Sequence, residues 1–152
     1  MGEIFKRIYC LLEDIFGREL ADYLSGIATN LQVDNKFLFI GIIMLAISAV
    51  ICITFYYVIN KPRFNNAWAW LITCGINAVI NLFVGYGYVR SDYETGKMMT
   101  IDPQTNEYVN LSITELNLWG FGLTNAILSA LLLFILSMCI KWGSRNCSHA
   151  PF

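Results

Sequence analysis

The sequence has 152 residues, a formal net charge of -1, 57% hydrophobic residues, only 14% charged ones and a mean hydropathy of +0.55. Soluble domains carry about a quarter charged residues, so the composition excludes an ordinary water-soluble domain and points to one integral membrane domain. Without a basic cluster, the chain also lacks the electrostatic footprint that nucleic-acid binding requires.

Residues 1–30 predict an amphipathic interfacial helix, running from about Glu3 to Ser25 with Gly26 as its C-terminal stop. Helical spacing puts Phe5, Ile8, Leu12, Phe16, Leu20 and Tyr23 on one side and Glu3, Arg7, Asp14 and Arg18 on the other. Glu3 with Arg7, and Asp14 with Arg18, are spaced as helical ion pairs. Acidic residues interrupt the apolar ones and no small-residue cleavage site follows, unlike a signal peptide. Glu19 falls inside the apolar arc, where it reads as a solvated rim residue or, in the sharper alternative, a functional carboxylate.

Three uncharged segments reach the roughly twenty residues needed to cross a bilayer: 37–59, 67–89 and 119–140. Together they define a three-span transmembrane region over 36–142, followed by a polar tail over 143–152. Aromatic residues gather near the span ends: Tyr56, Tyr57, Trp68, Trp70, Tyr86, Tyr88, Trp119 and Trp142. They fit an interfacial belt, in which one ring edge stays wet. Asp34 or Asn35 can cap the first span, Pro62 ends it, and Asn65 or Asn66 can cap the second. In the loop 90–118, Lys97–Ile101 and Glu107–Leu111 read as strands around "DPQTN", which predicts a small β-hairpin. Such a hairpin needs something to pack against, so it is a candidate contact surface. Asn110-Leu-Ser112 also spells a glycosylation acceptor, a triplet common by chance. Ser112 and Glu115 have capping-box spacing, so the third helix should start ahead of Trp119, and Gly120 and Gly122 are candidate bending points.

Basic residues set the orientation. Lys61 and Arg63 in the first connection share one side with Lys141 and Arg145, because two spans separate the sites. That side is expected to be the cytoplasm, here taken as that of a bacterial cell, leaving the first helix and the acidic loop outside. Lys36 and Arg90 on the opposite side weaken the asymmetry.

The middle span raises the chemical question, because "NAVINLFVGYGY" places Asn77, Asn81 and Gly85 at successive helical turns, with Cys74 on the same face. Hydrocarbon cannot hydrogen-bond to an amide, so Asn77 and Asn81 require protein or enclosed water. Gly122, Ala126 and Ser129, with Asn125 beside them, form a matching stripe on the third span; Gly41, Ser48 and Cys52 line the first. The favoured expectation is helix-to-helix packing, within or between subunits, with each amide bond worth about 0.6–2 kcal/mol. In the alternative, Asn77 and Asn81 line a pore.

Little else carries chemistry. Five cysteines are scattered, and Cys147 with His149 supplies only two of the four ligands of a structural zinc site. "GYGY" at 85–88 ends a full-length span and does not form the re-entrant loop of a potassium filter. The spans hold no charge of the kind used in proton coupling or voltage sensing. No catalytic constellation, metal or cofactor is expected. The predicted architecture is an all-α integral membrane protein: three transmembrane helices, a preceding amphipathic helix and the hairpin. The predicted role is a non-enzymatic, self-associating interaction subunit or anchor of a membrane assembly. Its partners would be the lipid bilayer, further copies or other membrane-protein subunits, with Phe5, Leu12, Phe16, Glu19 and Tyr108 as docking residues. The alternative is an oligomeric pore-forming or membrane-disrupting effector.

Overall fold

A computed structural model describes residues 2–26, 36–58, 67–101 and 107–141. It contains three short helices, α1 (Gly2–Cys10), α2 (Glu13–Phe16) and α3 (Arg18–Ser25), and three long ones, α4 (Lys36–Ile53), α5 (Ala67–Glu94) and α6 (Glu115–Lys141). All three long helices are long and apolar enough to cross a membrane. Between α5 and α6, β1 (Met99–Ile101) and β2 (Tyr108–Asn110) form the expected antiparallel hairpin, with Thr100 opposite Val109. Its turn, the proposed caps near Asp34 and Asn65, the basic residues of the first connection, and Trp142, Cys147 and His149 lie outside the described residues.

The first segment departs from the single helix its periodicity predicts. It breaks at Leu11–Leu12 and again at Gly17, whose φ of 90° is open to glycine but strained for other residues. The second break has a tertiary cause. Asn117 Nδ2 donates to the carbonyl of Phe16 at 2.8 Å, and a Cβ on Gly17 would overlap that same amide. One expected ion pair changes as a result: Arg18 Nε lies 3.3 Å from Glu13, not beside Asp14. Gly26 does stop α3, at φ 79° in the left-handed region.

Asn117 also sets the start of α6. Its Oδ1 accepts from the Thr114 N–H at 3.2 Å and from the Thr114 hydroxyl, so a one-sided cap pairs Thr114 with Asn117 in place of the box expected of Ser112 and Glu115. The shift follows from the hairpin, where Leu111 N–H still bonds to the Met98 carbonyl at 3.1 Å and holds the chain extended too late for a cap at Ser112. Replacing Asn117 by alanine should therefore cost about 1–2 kcal/mol. Asn117→Asp should keep the cap and turn the Phe16 bond into a repulsion between two oxygen acceptors. Protease protection of residues 2–26 beside the melting temperature separates the two: aspartate should release the segment with a smaller drop in melting temperature than alanine gives.

The chain forms two compact units, each drawing on all three long helices: 1–42 with 82–124, and 43–81 with 125–152. In the first unit the core is aromatic. Tyr9 stacks on Phe37 (centroids 5.0 Å apart) and on Phe121 (5.6 Å), and Phe16 meets Phe121 edge-on at 5.3 Å. Edge and offset geometries of this kind add about 0.5–1.5 kcal/mol per pair beyond burial. In the second unit Cys52, Tyr56 and Leu133 form the core, with Ile51, Phe55, Cys74, Leu136 and Ile140 packed around them. Tyr56 corrects the belt expectation, since it is buried and its hydroxyl meets Ser137. Its neighbour Tyr57 is exposed, as a belt residue would be. Ahead of Tyr56, the Thr54 hydroxyl takes the Val50 carbonyl (2.7 Å), and the helix widens there into a π turn over Thr54–Val58.

Candidate functional site

A buried polar cluster lies in the second unit, on the face the sequence marks. Asn77 and Asn81 from α5, Ser48 from α4, and Asn125 and Ser129 from α6 are all fully buried. Asn77 Nδ2 donates to the Ser129 carbonyl at 3.0 Å, Asn81 Nδ2 to the Asn77 carbonyl at 3.0 Å, and Asn125 Nδ2 to the Asn81 carbonyl at 2.7 Å. Each acceptor is a main-chain oxygen, which cannot donate, so these contacts fix which end of every amide is nitrogen. Asn77 Oδ1 then accepts twice, from Ser48 Oγ at 3.2 Å and Asn81 Nδ2 at 3.1 Å. Helical carbonyls keep a second lone pair after their i+4 bond, and Asn77 and Asn125 use it to tie α5 to α6, Asn81 bonds within α5, and Ser48 ties α4 to α5. Ser129 takes part through its carbonyl; its hydroxyl turns back to Ala126 at 2.8 Å.

One atom departs from this economy. Asn81 Oδ1 is buried and has no partner among the described residues. Nearby in sequence but in the same unit's other polar contact, Trp70 Nε1 donates to Ser137 Oγ at 3.1 Å, sharing that hydroxyl with Tyr56.

The small residues of the first unit serve close approach. Gly85 and Gly122 are buried, and a Cβ on Gly122 would stand 2.9 Å from the Leu82 carbonyl oxygen. A Cβ on Gly120 would overlap the Ile15 carbonyl, and one on Gly41 the Phe5 ring. These glycines seat α5 and the amino-terminal segment against the long helices, and α6 runs on unbroken through Gly120 and Gly122. The same unit holds a polar clamp unmarked in the sequence reading. Lys36 Nζ donates to Tyr23 Oη and to Asp92 Oδ2, each at 2.6 Å, with Lys97 Nζ 3.8 Å from the other Asp92 oxygen. Lys36 and Asp92 side chains are only 15% and 12% exposed, so the pair is partly desolvated and removal of Asp92 would strand the Lys36 charge.

The residues expected to dock partners divide. Phe16 is fully buried in the aromatic core, Phe5 and Leu12 are half-buried, and Glu19 and Tyr108 are exposed. Phe16 is thus enclosed in the chain's own aromatic core, while Ile8 of the same predicted arc stays exposed. Glu19 has the exposure of a solvated rim residue. Among the described residues no three acidic, histidine or cysteine side chains converge as metal ligands. Cys10, Cys52, Cys74 and Cys139 are free, and burial with the nearby Glu13 pushes the Cys10 thiol up.

Burial also raises the Tyr9 and Tyr23 phenols above the ordinary value of 10.0, with Lys36 opposing the rise at Tyr23. A raised folded-state value contributes stability that is complete below pH 10.0 and is lost as the pH climbs toward the folded values. Protease cleavage within residues 2–26 should accordingly increase above about pH 10. Tyr9→Phe should reduce that alkaline sensitivity, and an unchanged profile in this variant would show that Tyr9 has no part in it.

Set beside protein-family models, curated proteins and solved structures, the chain has no match.

Proposed function

We propose that this is a multi-pass membrane protein acting as a non-enzymatic interaction subunit or anchor, self-associating or joining other membrane-protein subunits through its lipid-level surface. The carrying observation is how polarity is distributed on α5. Its asparagines turn inward and are enclosed, while Leu71, Ile72, Ile76, Val79, Ile80 and Phe83 remain exposed. Of its most apolar stretch 11% is buried, against 33% for each of α4 and α6. An amide network that consumes its donors inside one chain suits a rigid scaffold, and the wide aliphatic face suits lipid or a neighbouring helix. The exposed strand β2, with Tyr108 at 64% exposure, offers a second surface outside the apolar helices.

Chemical cross-linking of the full chain in its native membranes, followed by mass analysis, tests this reading. A discrete oligomer or a stoichiometric membrane partner is expected; a monomer without a partner would overturn it. A second reading, an oligomeric pore, draws on Asn81 Oδ1, a buried acceptor with no hydrogen-bond partner among the described residues. It requires ion flux in liposomes that Asn77→Leu with Asn81→Leu abolishes, and absence of flux from assembled wild-type protein excludes it.

A further inference from the structure

The amino-terminal segment has two apolar faces, and the chain covers only one. Tyr9, Phe16 and Leu20 point into the aromatic core, whereas Ile4 (62% exposed), Ile8, Leu11 (81%) and Ile15 stay outside. Their spacing of four, three and four residues is helical, with Leu11 N–H bonded to the Arg7 carbonyl on one side of the break and Ile15 N–H to the Leu12 carbonyl on the other, and all four side chains stay exposed. The exposed stripe adjoins the buried face, and exposed Arg7 and Asp14 lie beyond its other edge.

We infer that this stripe, residues 4 to 15, lies in the acyl boundary of the bilayer, making the amino-terminal segment a membrane-embedded but non-spanning part of the domain; the inference rests on the membrane reading above. Depth is the first argument. The segment touches α4 at Gly41 and α6 at Gly120, each five residues beyond the charged first residue of its helix. From the span starts at 37 and 119, the contacts lie about 6 Å and about 2 Å in along the axis at 1.5 Å per residue, in the shallow boundary zone where interfacial helices lie. Continuity is the second. Beside those contacts the long helices expose Phe39 and Ile42 on α4, and Leu116, Trp119 and Leu123 on α6. The stripe therefore extends an apolar surface that already needs covering. Composition is the third: protein interfaces favour aromatic and arginine anchors at their centres, and here the outward stripe is purely aliphatic while the aromatic rings face inward.

Photo-crosslinking of the full chain in phosphatidylcholine–phosphatidylglycerol vesicles tests the inference, with benzoylphenylalanine placed singly at Leu11, Ile4, Val79 or Asp14. Lipid adducts at Leu11 and Ile4, comparable to those at Val79 and at least several-fold above Asp14, are the expected result. A covalent dimer at Leu11 would overturn the inference in favour of a second copy. Adducts at Val79 with neither lipid nor dimer at Leu11 and Ile4 would place the stripe in water and overturn it while leaving the membrane reading intact. Failure at Val79 as well would defeat both. The two stripe positions guard against a local folding defect at either one.

Discussion

Replacing Asn77 by leucine is expected to destabilise the protein by roughly 1–3 kcal/mol, the sum of two inter-helix bonds at about 0.6–1.7 kcal/mol each. Asn77 is the node of the cluster: it donates to Ser129, accepts from Ser48 and accepts from Asn81. Leucine removes all three and leaves the buried Ser48 hydroxyl to find another acceptor. Asn125→Leu removes a bond to a carbonyl that keeps its own helical partner, so it should cost less than Asn77→Leu. Adding Asn81→Leu to Asn77→Leu should cost less than the sum of the single changes, because Asn81 donates to Asn77 and both draw on one network. Thermal unfolding in bilayer discs measures the series. If Asn77→Leu unfolds at the wild-type temperature, the amides do not hold the helices together.

The largest effect expected from one methyl group is at Gly120. Alanine there drives Cβ into the carbonyl oxygen of Ile15, which is main chain and cannot move aside as a side chain would. Overpacking of this kind costs about 1–3 kcal/mol, and it should lift α2 from α6 and break the Asn117 bond to Phe16. Gly75→Ala is the matched opposite. A Cβ at Gly75 meets nothing within 4 Å and the residue is exposed on α5, so the change should be neutral or stabilising by up to about 1 kcal/mol. Limited proteolysis distinguishes local release from global unfolding. Gly120→Ala should expose residues 2–26 to cleavage first, and Gly75→Ala should leave the cleavage pattern unchanged. Equal effects at the two glycines would mean that helix propensity, not close approach, decides both.

The long helices and the hairpin were legible because their signals are local: an uncharged apolar run in one case, turn formers between two short strands in the other. The Gly26 stop is equally local. The break at Gly17 was not, since it depends on Asn117, and the apolar spacing around Gly17 is continuous enough to read as one helix. The start of α6 was misplaced by a competing motif, because Ser112 and Glu115 have cap spacing but the hairpin still holds Leu111 in its ladder. For the amide cluster, spacing disclosed that Asn77 and Asn81 share a face. It gave no means of seeing that their partners are main-chain carbonyls, which every sequence has at every position. Ser48 stood in the marked stripe on the first span, whereas the Lys36–Asp92–Tyr23 clamp had no local signature: its members come from three elements brought together only by folding. Tyr56 and Tyr57 show the limit of composition, as adjacent residues of the same type point one into the core and one out.

The central claim is that lipid covers the aliphatic face of these helices while protein encloses the amides. Magnetisation transfer measured by NMR in lipid discs tests it directly, through cross-peaks to acyl methylene protons. The account expects strong acyl cross-peaks at Val79 and Leu131, both exposed, and none at the side-chain amides of Asn77 and Asn81. Acyl cross-peaks at those amides, or water cross-peaks in place of lipid at Val79 and Leu131, would contradict it.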